Sequence, residues 1–296
     1  MKAVKKWMRL GSLVVAVIAL TFFALRIYDA HNTPDLGPWH TFVPRELSAD
    51  ELDAATWQDY LLAEQALFAA LPAKVYQRLD DAERVPDNRY FADSPLNASR
   101  FDRDWNRSYV LEPEGKPKGA AVMLHGLTDS PYSLRHIAEL YRKAGFVVVG
   151  LRLPGHGTTP GALTRVAWQD WLAATRLAVR EARRLIAQGD ELQLVGYSAG
   201  GGLALKYALD ALGNDELARP TRLTLISPMI GVAGYARFAG LAGLPAVFPA
   251  FAKAAWLDVL PEYNPFKYNS FPLNAARQSY LFTRALQEQL ALLAGR

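Results

Sequence analysis

The chain has 296 residues, 51% of them hydrophobic, enough to bury a full core in one catalytic domain. Its formal charge is +4, and Lys2, Lys5, Lys6 and Arg9 supply that whole excess, so no nucleic-acid partner is indicated. With no cysteine, disulfides and thiolate metal sites are excluded.

The basic start leads into residues 10–25, which carry no charge. Trp7 before them and Ile27-Tyr28 after them extend this stretch toward the ~20 residues of a membrane-spanning helix. We read it as an uncleaved transmembrane signal anchor, with a cleaved signal peptide and a buried core helix as the alternatives. The positive-inside rule then keeps the basic end cytoplasmic. Everything after Tyr28 is placed on the periplasmic side of the inner membrane. This divides the chain into an anchor over residues 1–30, a linker and helical region over 31–107, and a catalytic domain over 108–296.

Residues 31–47 contain prolines and no periodicity, as a linker would. Ser48-Ala49-Asp50-Glu51 has the form of a capping box and is expected to open one helix running to about Leu71. A short strand over 108–112 leads into the core. Residues 120–124 form a continuous apolar run, the mark of a strand buried on both faces of a parallel sheet. Ser130-Pro131 then starts a helix that Gly145 ends. A strand at 146–151, a helix at 168–187, a strand at 192–195, a helix from Ala199 to about Leu212 and a strand at 223–226 complete the alternation. This pattern predicts an α/β class, a doubly wound and mostly parallel sheet. After Pro228 it breaks into a stretch rich in Gly, Ala, Pro and aromatics up to Pro272, followed by a helix over about 274–293.

The most informative run is Val195-Gly196-Tyr197-Ser198-Ala199-Gly200, where the 192–195 strand turns into a helix. A serine flanked at two residues on either side by glycine matches the nucleophile elbow, whose sharp turn leaves no room for a Cβ at the glycines. Acyl transfer needs a nucleophile, a base and preorganised donors for the oxyanion. Ser198 is the candidate nucleophile. The N–H of Ala199, at the start of a helix whose dipole favours negative charge, is the first oxyanion donor. The N–H of Leu127, in the loop after the 120–124 strand, is the second. His125 is read as bracing that loop, and His156 as a loop-fixing hydrogen-bond partner rather than a surrogate base. Leu153-Pro154-Gly155-His156-Gly157 falls at the carboxyl edge of the sheet, where ligands bind in open α/β folds.

Three runs together resemble the monoacylglycerol lipase, carboxylesterase and lysophospholipase-like branch of the α/β-hydrolase superfamily. They are His125-Gly126-Leu127-Thr128 with Ser130-Pro131, Gly155-His156-Gly157 with Trp168-Gln169-Asp170-Trp171, and Gly196-Tyr197-Ser198-Ala199-Gly200-Gly201. The resemblance covers roughly residues 108–228 and a cap-like insertion at about 229–272. It implies an α/β-hydrolase fold and a cofactor-free esterase or lipase acting on small-molecule or lipid acyl esters through an acyl-enzyme on Ser198. It also implies an acyl pocket under the cap, for which Phe238, Leu241, Leu244, Phe248, Phe251, Trp256 and Leu257 would supply an apolar inner wall. Members order their triad as serine, acid, histidine. Here all five histidines (His31, His40, His125, His136, His156) precede Ser198, and no later acid ends a recognisable strand. The expectation is therefore a C-terminally truncated hydrolase lacking its last strands, with a catalytically inactive binding protein and an acyltransferase as the alternatives.

Overall fold

The computed structural model describes residues 2–295. Helix α1 (Lys2–Asn32) holds the uncharged stretch, and its span Val4–Asn32 is long and apolar enough to cross a membrane, with none of its most apolar part buried in the protein. That exposure removes the core-helix alternative, because a core helix would bury those side chains against the sheet.

Residues 31–47 fold back onto the domain. A single turn, α2 (Pro38–Thr41), buries Trp39 and His40. The Ser48/Glu51 capping box forms as expected, but the one expected helix is two, α3 (Ala49–Ala54) and α4 (Trp57–Lys74). The break has a local cause: Thr56 and Asp59 make a second capping box, with the Thr56 hydroxyl accepting from the Asp59 N–H at 3.2 Å and the Asp59 carboxylate accepting from the Thr56 N–H at 3.0 Å. Ala55 is consequently extended, with φ −74° and ψ 151°.

The sheet comprises β1 (Tyr109–Leu111), β2 (Gly119–Leu124), β3 (Phe146–Leu151), β4 (Glu191–Tyr197) and β5 (Arg222–Ile226) in the order β1-β3-β2-β4-β5. β1 runs antiparallel to β3, and the other pairings are parallel. β2 lies at the centre and is buried at every position. Its side chains alternate between two cores, as the strand period of two demands. Ala120, Val122 and Leu124 face a core shared with α6 (Trp168–Arg184) and α7 (Ala199–Gly213). Ala121 and Met123 face the other, with Leu134 and the Ala138 of α5 (Arg135–Lys143). Beyond β5 come a series of short helical turns that includes α8 (Ala239–Ala242), a small hairpin of β6 (Trp256–Asp258) and β7 (Phe271–Pro272), and the long helix α9 (Leu273–Ala294). α9 packs Ala275, Phe282 and Leu286 into the first core.

One buried ion cluster joins the region before β1 to the sheet. The fully buried Arg152 donates to both carboxylate oxygens of Glu46 at 2.8 and 2.9 Å, to Glu64 at 3.0 Å and to the His156 carbonyl at 3.0 Å. Glu64 in turn accepts from the Ser108 N–H and hydroxyl, and the Tyr60 hydroxyl donates to the Arg152 carbonyl. The loop after β3 is thus held from a part of the chain a hundred residues earlier.

Candidate active site

Ser198 sits between the end of β4 and the start of α7, half-buried, with φ 51° and ψ −115°. Positive φ is costly for a residue with a Cβ, of order 1–3 kcal/mol, and persists only where surroundings enforce it. The surroundings here are explicit. The Ser198 N–H donates to the Ile226 carbonyl of β5 at 3.0 Å, and its carbonyl accepts from the N–H groups of Met229 at 2.8 Å and Gly202 at 3.1 Å. The flanking glycines are forced by space: a Cβ on Gly196 would fall on the Gly200 carbonyl, and one on Gly200 on the Leu124 carbonyl. These neighbours are backbone and cannot swing aside. Gly200→Ala is therefore expected to cost roughly 1–3 kcal/mol and to disorder the turn. A thermal midpoint unchanged from wild type would contradict this packing.

The loop after β2 meets the elbow directly. A Cβ on Gly126 would lie 3.4 Å from the Ser198 Cβ, so Gly126, and with it the peptide leading to Leu127, stands beside the serine. His125 fixes that peptide. The Leu153 N–H donates to its Nε2 at 3.0 Å, which makes Nε2 the acceptor and leaves Nδ1–H to donate to the Gly126 carbonyl at 2.8 Å. The N–H and C=O of a trans peptide point in opposite directions. Holding the Gly126 carbonyl toward His125 therefore turns the Leu127 N–H away from it. Ala199, buried as the first residue of α7, contributes one of the first-turn amides that an α-helix leaves without an internal partner. Ser198, Gly126-Leu127 and Ala199 thus converge on one corner at the carboxyl edge of the sheet.

The histidines are placed elsewhere. His125 is fully buried, its pKa driven well below the usual value by burial and then by the neighbouring His156 ring. His156 is also fully buried and bonds the Pro154 carbonyl through Nδ1 at 3.0 Å, and burial lowers its pKa to about 4. His40 accepts from the Gly37 N–H at 3.0 Å and pairs with the Ser270 hydroxyl at 2.9 Å. His31 lies at the end of α1 and His136 on the exposed side of α5. Among the described residues no imidazole hydrogen-bonds the Ser198 hydroxyl.

Sequence reasoning missed the clamp on the loop after β2. Thr128 has φ 60°, and its carbonyl accepts from the Tyr268 N–H at 2.7 Å. Phe266 stacks on Tyr132 at 4.0 Å, while Arg89 donates to the Asn264 and Lys267 carbonyls. These contacts join residues more than a hundred positions apart, and no local pattern marks them.

The expected inner wall of the cap is not formed. Of the seven apolar residues assigned to it, Trp256 is buried and Phe251 half-buried, and the other five are exposed. A groove of about 550 Å³ does open between this segment and α9, lined by Leu241, Leu244 and Leu273 with Arg237 and Arg277, and Ser198 is not among its lining residues.

The sequence profile of the alpha/beta hydrolase family matches residues 121–294, more than half of the chain. The chain belongs to the alpha/beta hydrolase family. Within it, the chain is similar over part of its length to a lipase. A thermostable monoacylglycerol lipase from Bacillus sp. (strain H-257) is 38% identical over 96 residues, which is 32% of this chain. The match spans 36% of that lipase, about a third of its length. A solved structure from work on the metagenome-derived lipolytic enzymes LipS and LipT superposes with a TM-score of 0.51 at 22% identity, over 63% of this chain and 71% of that one, and supports the fold.

Proposed function

We propose that this hydrolase is a membrane-tethered serine esterase or lipase-type enzyme that takes acyl esters through Ser198. In this reading residues 1–30 are the anchor with the basic end cytoplasmic, residues 108–296 are the periplasmic catalytic domain, and residues 229–272 are its cap. The observation that carries it is the backbone of Ser198, strained at φ 51° in a turn whose two flanking glycines leave no room for a side chain. Attack of the hydroxyl on the ester carbonyl would place negative charge on the carbonyl oxygen, within reach of the N–H groups of Leu127 and Ala199. Collapse would release the alcohol and leave an acyl-enzyme for water to open. Such donors are each worth ~100 to 1000-fold in turnover. No cofactor enters this scheme.

His40, His125 and His156 are committed to other bonds and do not activate the serine in this arrangement. A triad-depleted serine enzyme still retains ~1000-fold catalysis over water from its oxyanion donors and binding. A fluorophosphonate probe is accordingly expected to label this protein slowly, at Ser198, with no adduct in Ser198→Ala and no slowing in His156→Gln. An adduct that forms elsewhere, or that survives Ser198→Ala, would remove Ser198 from the chemistry. The commitment of the histidines also favours a second reading, a protein that binds acyl esters without turning them over. It predicts undiminished ligand binding by Ser198→Ala and p-nitrophenyl ester hydrolysis no faster than buffer.

A further inference from the structure

Part of the stretch after β5 runs to α1. Arg26, at the end of the uncharged stretch of that helix, donates to the carbonyls of Ala242 at 3.3 Å, Ala254 at 3.2 Å and Trp256 at 3.3 Å, and its side chain is only 15% exposed. Lys253 answers from the other side, donating to the Thr33 carbonyl at 2.8 Å and pairing with Asp35 at 2.8 Å. Residues 234–255 are therefore riveted to the point where the apolar part of α1 ends. The same segment leaves Phe238, Leu241, Leu244, Val247 and Phe248 between 46% and 75% exposed. A run of large apolar side chains left in water is unusual for a soluble surface and marks an interaction site. Cations border it: Arg237, whose guanidinium lies 4.5 Å from the Phe238 ring centre, together with Lys253 and Arg277.

We propose that residues 234–255 form a second membrane contact, seated at the boundary of headgroups and acyl chains in the leaflet from which α1 emerges. This rests on the reading of α1 as a membrane anchor. Three things select a lipid surface as the occupant. The patch adjoins the apolar helix α1, Arg26 fixes its depth to the interface where the uncharged stretch of that helix ends, and the bordering Arg237 and Arg277 complement anionic headgroups. The groove between this segment and α9 then opens toward the membrane.

The absence of cysteine makes the test direct, because any single introduced thiol is unique. The full chain is reconstituted in phosphatidylcholine vesicles containing phosphatidylglycerol, with an environment-sensitive nitrobenzoxadiazole dye on Val247→Cys, Val15→Cys or Leu140→Cys. Val15 lies in the middle of α1, and Leu140 is an exposed residue of α5. Nitroxide lipids labelled near the headgroup are expected to quench the dye at position 247 at least about twofold more than at position 140, while deep acyl-chain nitroxides quench position 15. Adding Arg26→Gln should lower quenching at 247 and leave 15 unchanged. Quenching at 15 but not at 247 overturns the docking surface while the anchor stands. A dye at 247 that is blue-shifted yet unquenched by any nitroxide lipid assigns the patch to a protein contact and likewise overturns it. No quenching at 15 overturns the anchor and the docking surface together.

Discussion

Arg152→Met is expected to lower the stability of the fold by about 3–5 kcal/mol, because it leaves two buried carboxylates without their cation. Arg152 is fully buried, and Glu46 and Glu64 beside it are 9% and 3% exposed. Methionine fills much of the volume, so the loss is electrostatic rather than a cavity. Adding Glu46→Gln and Glu64→Gln should recover a good part of it, since the unpaired charges are then gone. Urea unfolding of the full chain in detergent micelles reads the effect as a shift in midpoint at constant slope. A single Arg152→Met within about 1 kcal/mol of wild type would show that solvent reaches the cluster and that it is no brace. The consequence for the site is direct, because Arg152 holds the His156 carbonyl and Glu46 holds the Gly155 N–H at 2.8 Å. The loop after β3 should loosen with the cluster.

Acid is expected to destabilise the protein through buried histidines that work only as neutral rings. Burial lowers the pKa of His40 and of His156 from 6.5 to about 4, and pushes His125 further down. Depressed in the folded state, these groups give stability that is complete above 6.5, where the unfolded chain is also neutral. That stability is lost as the pH falls from 6.5 toward about 4, because only the unfolded chain takes up the protons in this window. For His40 and for His156 the displacement corresponds to roughly 3 kcal/mol each at the acid end. Glu64, Asp129 and Glu262 act in the opposite sense. Burial raises their pKa values, so their protonation on the way down favours the folded state. The net curve is thus a difference, and a single variant isolates one contribution. His40→Gln preserves an acceptor for the Gly37 N–H and a donor for Ser270 but cannot titrate. Its stability should fall less than wild type between pH 6.5 and 4, by roughly 3 kcal/mol. Parallel curves for the two proteins would mean that the folded state admits the His40 proton.

Much of this was legible along the chain. The apolar run at 120–124, its neighbours at 146–151 and 192–195, and the helices between them have periods that show in single sequences, and each stands within a few residues of its expected place. The elbow was legible from its spacing, and for Gly196 the clash is local, with the Gly200 carbonyl four residues on, whereas Gly200 is required by the Leu124 backbone across the sheet. α1 and its charge pattern were also local. The Thr56/Asp59 box that splits the expected long helix is equally local, eight residues after the Ser48/Glu51 box.

The chain by itself therefore determined the α/β alternation, the N-terminal helix with its uncharged stretch and the glycine-flanked turn at Ser198, because the signal for each lies in steric and solvation preferences within a few residues. Only the tertiary structure decided that the loop after β2 is held by His125 and by the 264–268 segment. It also decided that Arg152 joins Glu46 to Glu64, and that the stretch after β5 leaves its large apolar side chains exposed and fastens to Arg26. Those outcomes depend on burial and hydrogen bonding between distant segments. The geometry that satisfies a buried charge or a buried carbonyl exists only once the sheet has brought its partners together.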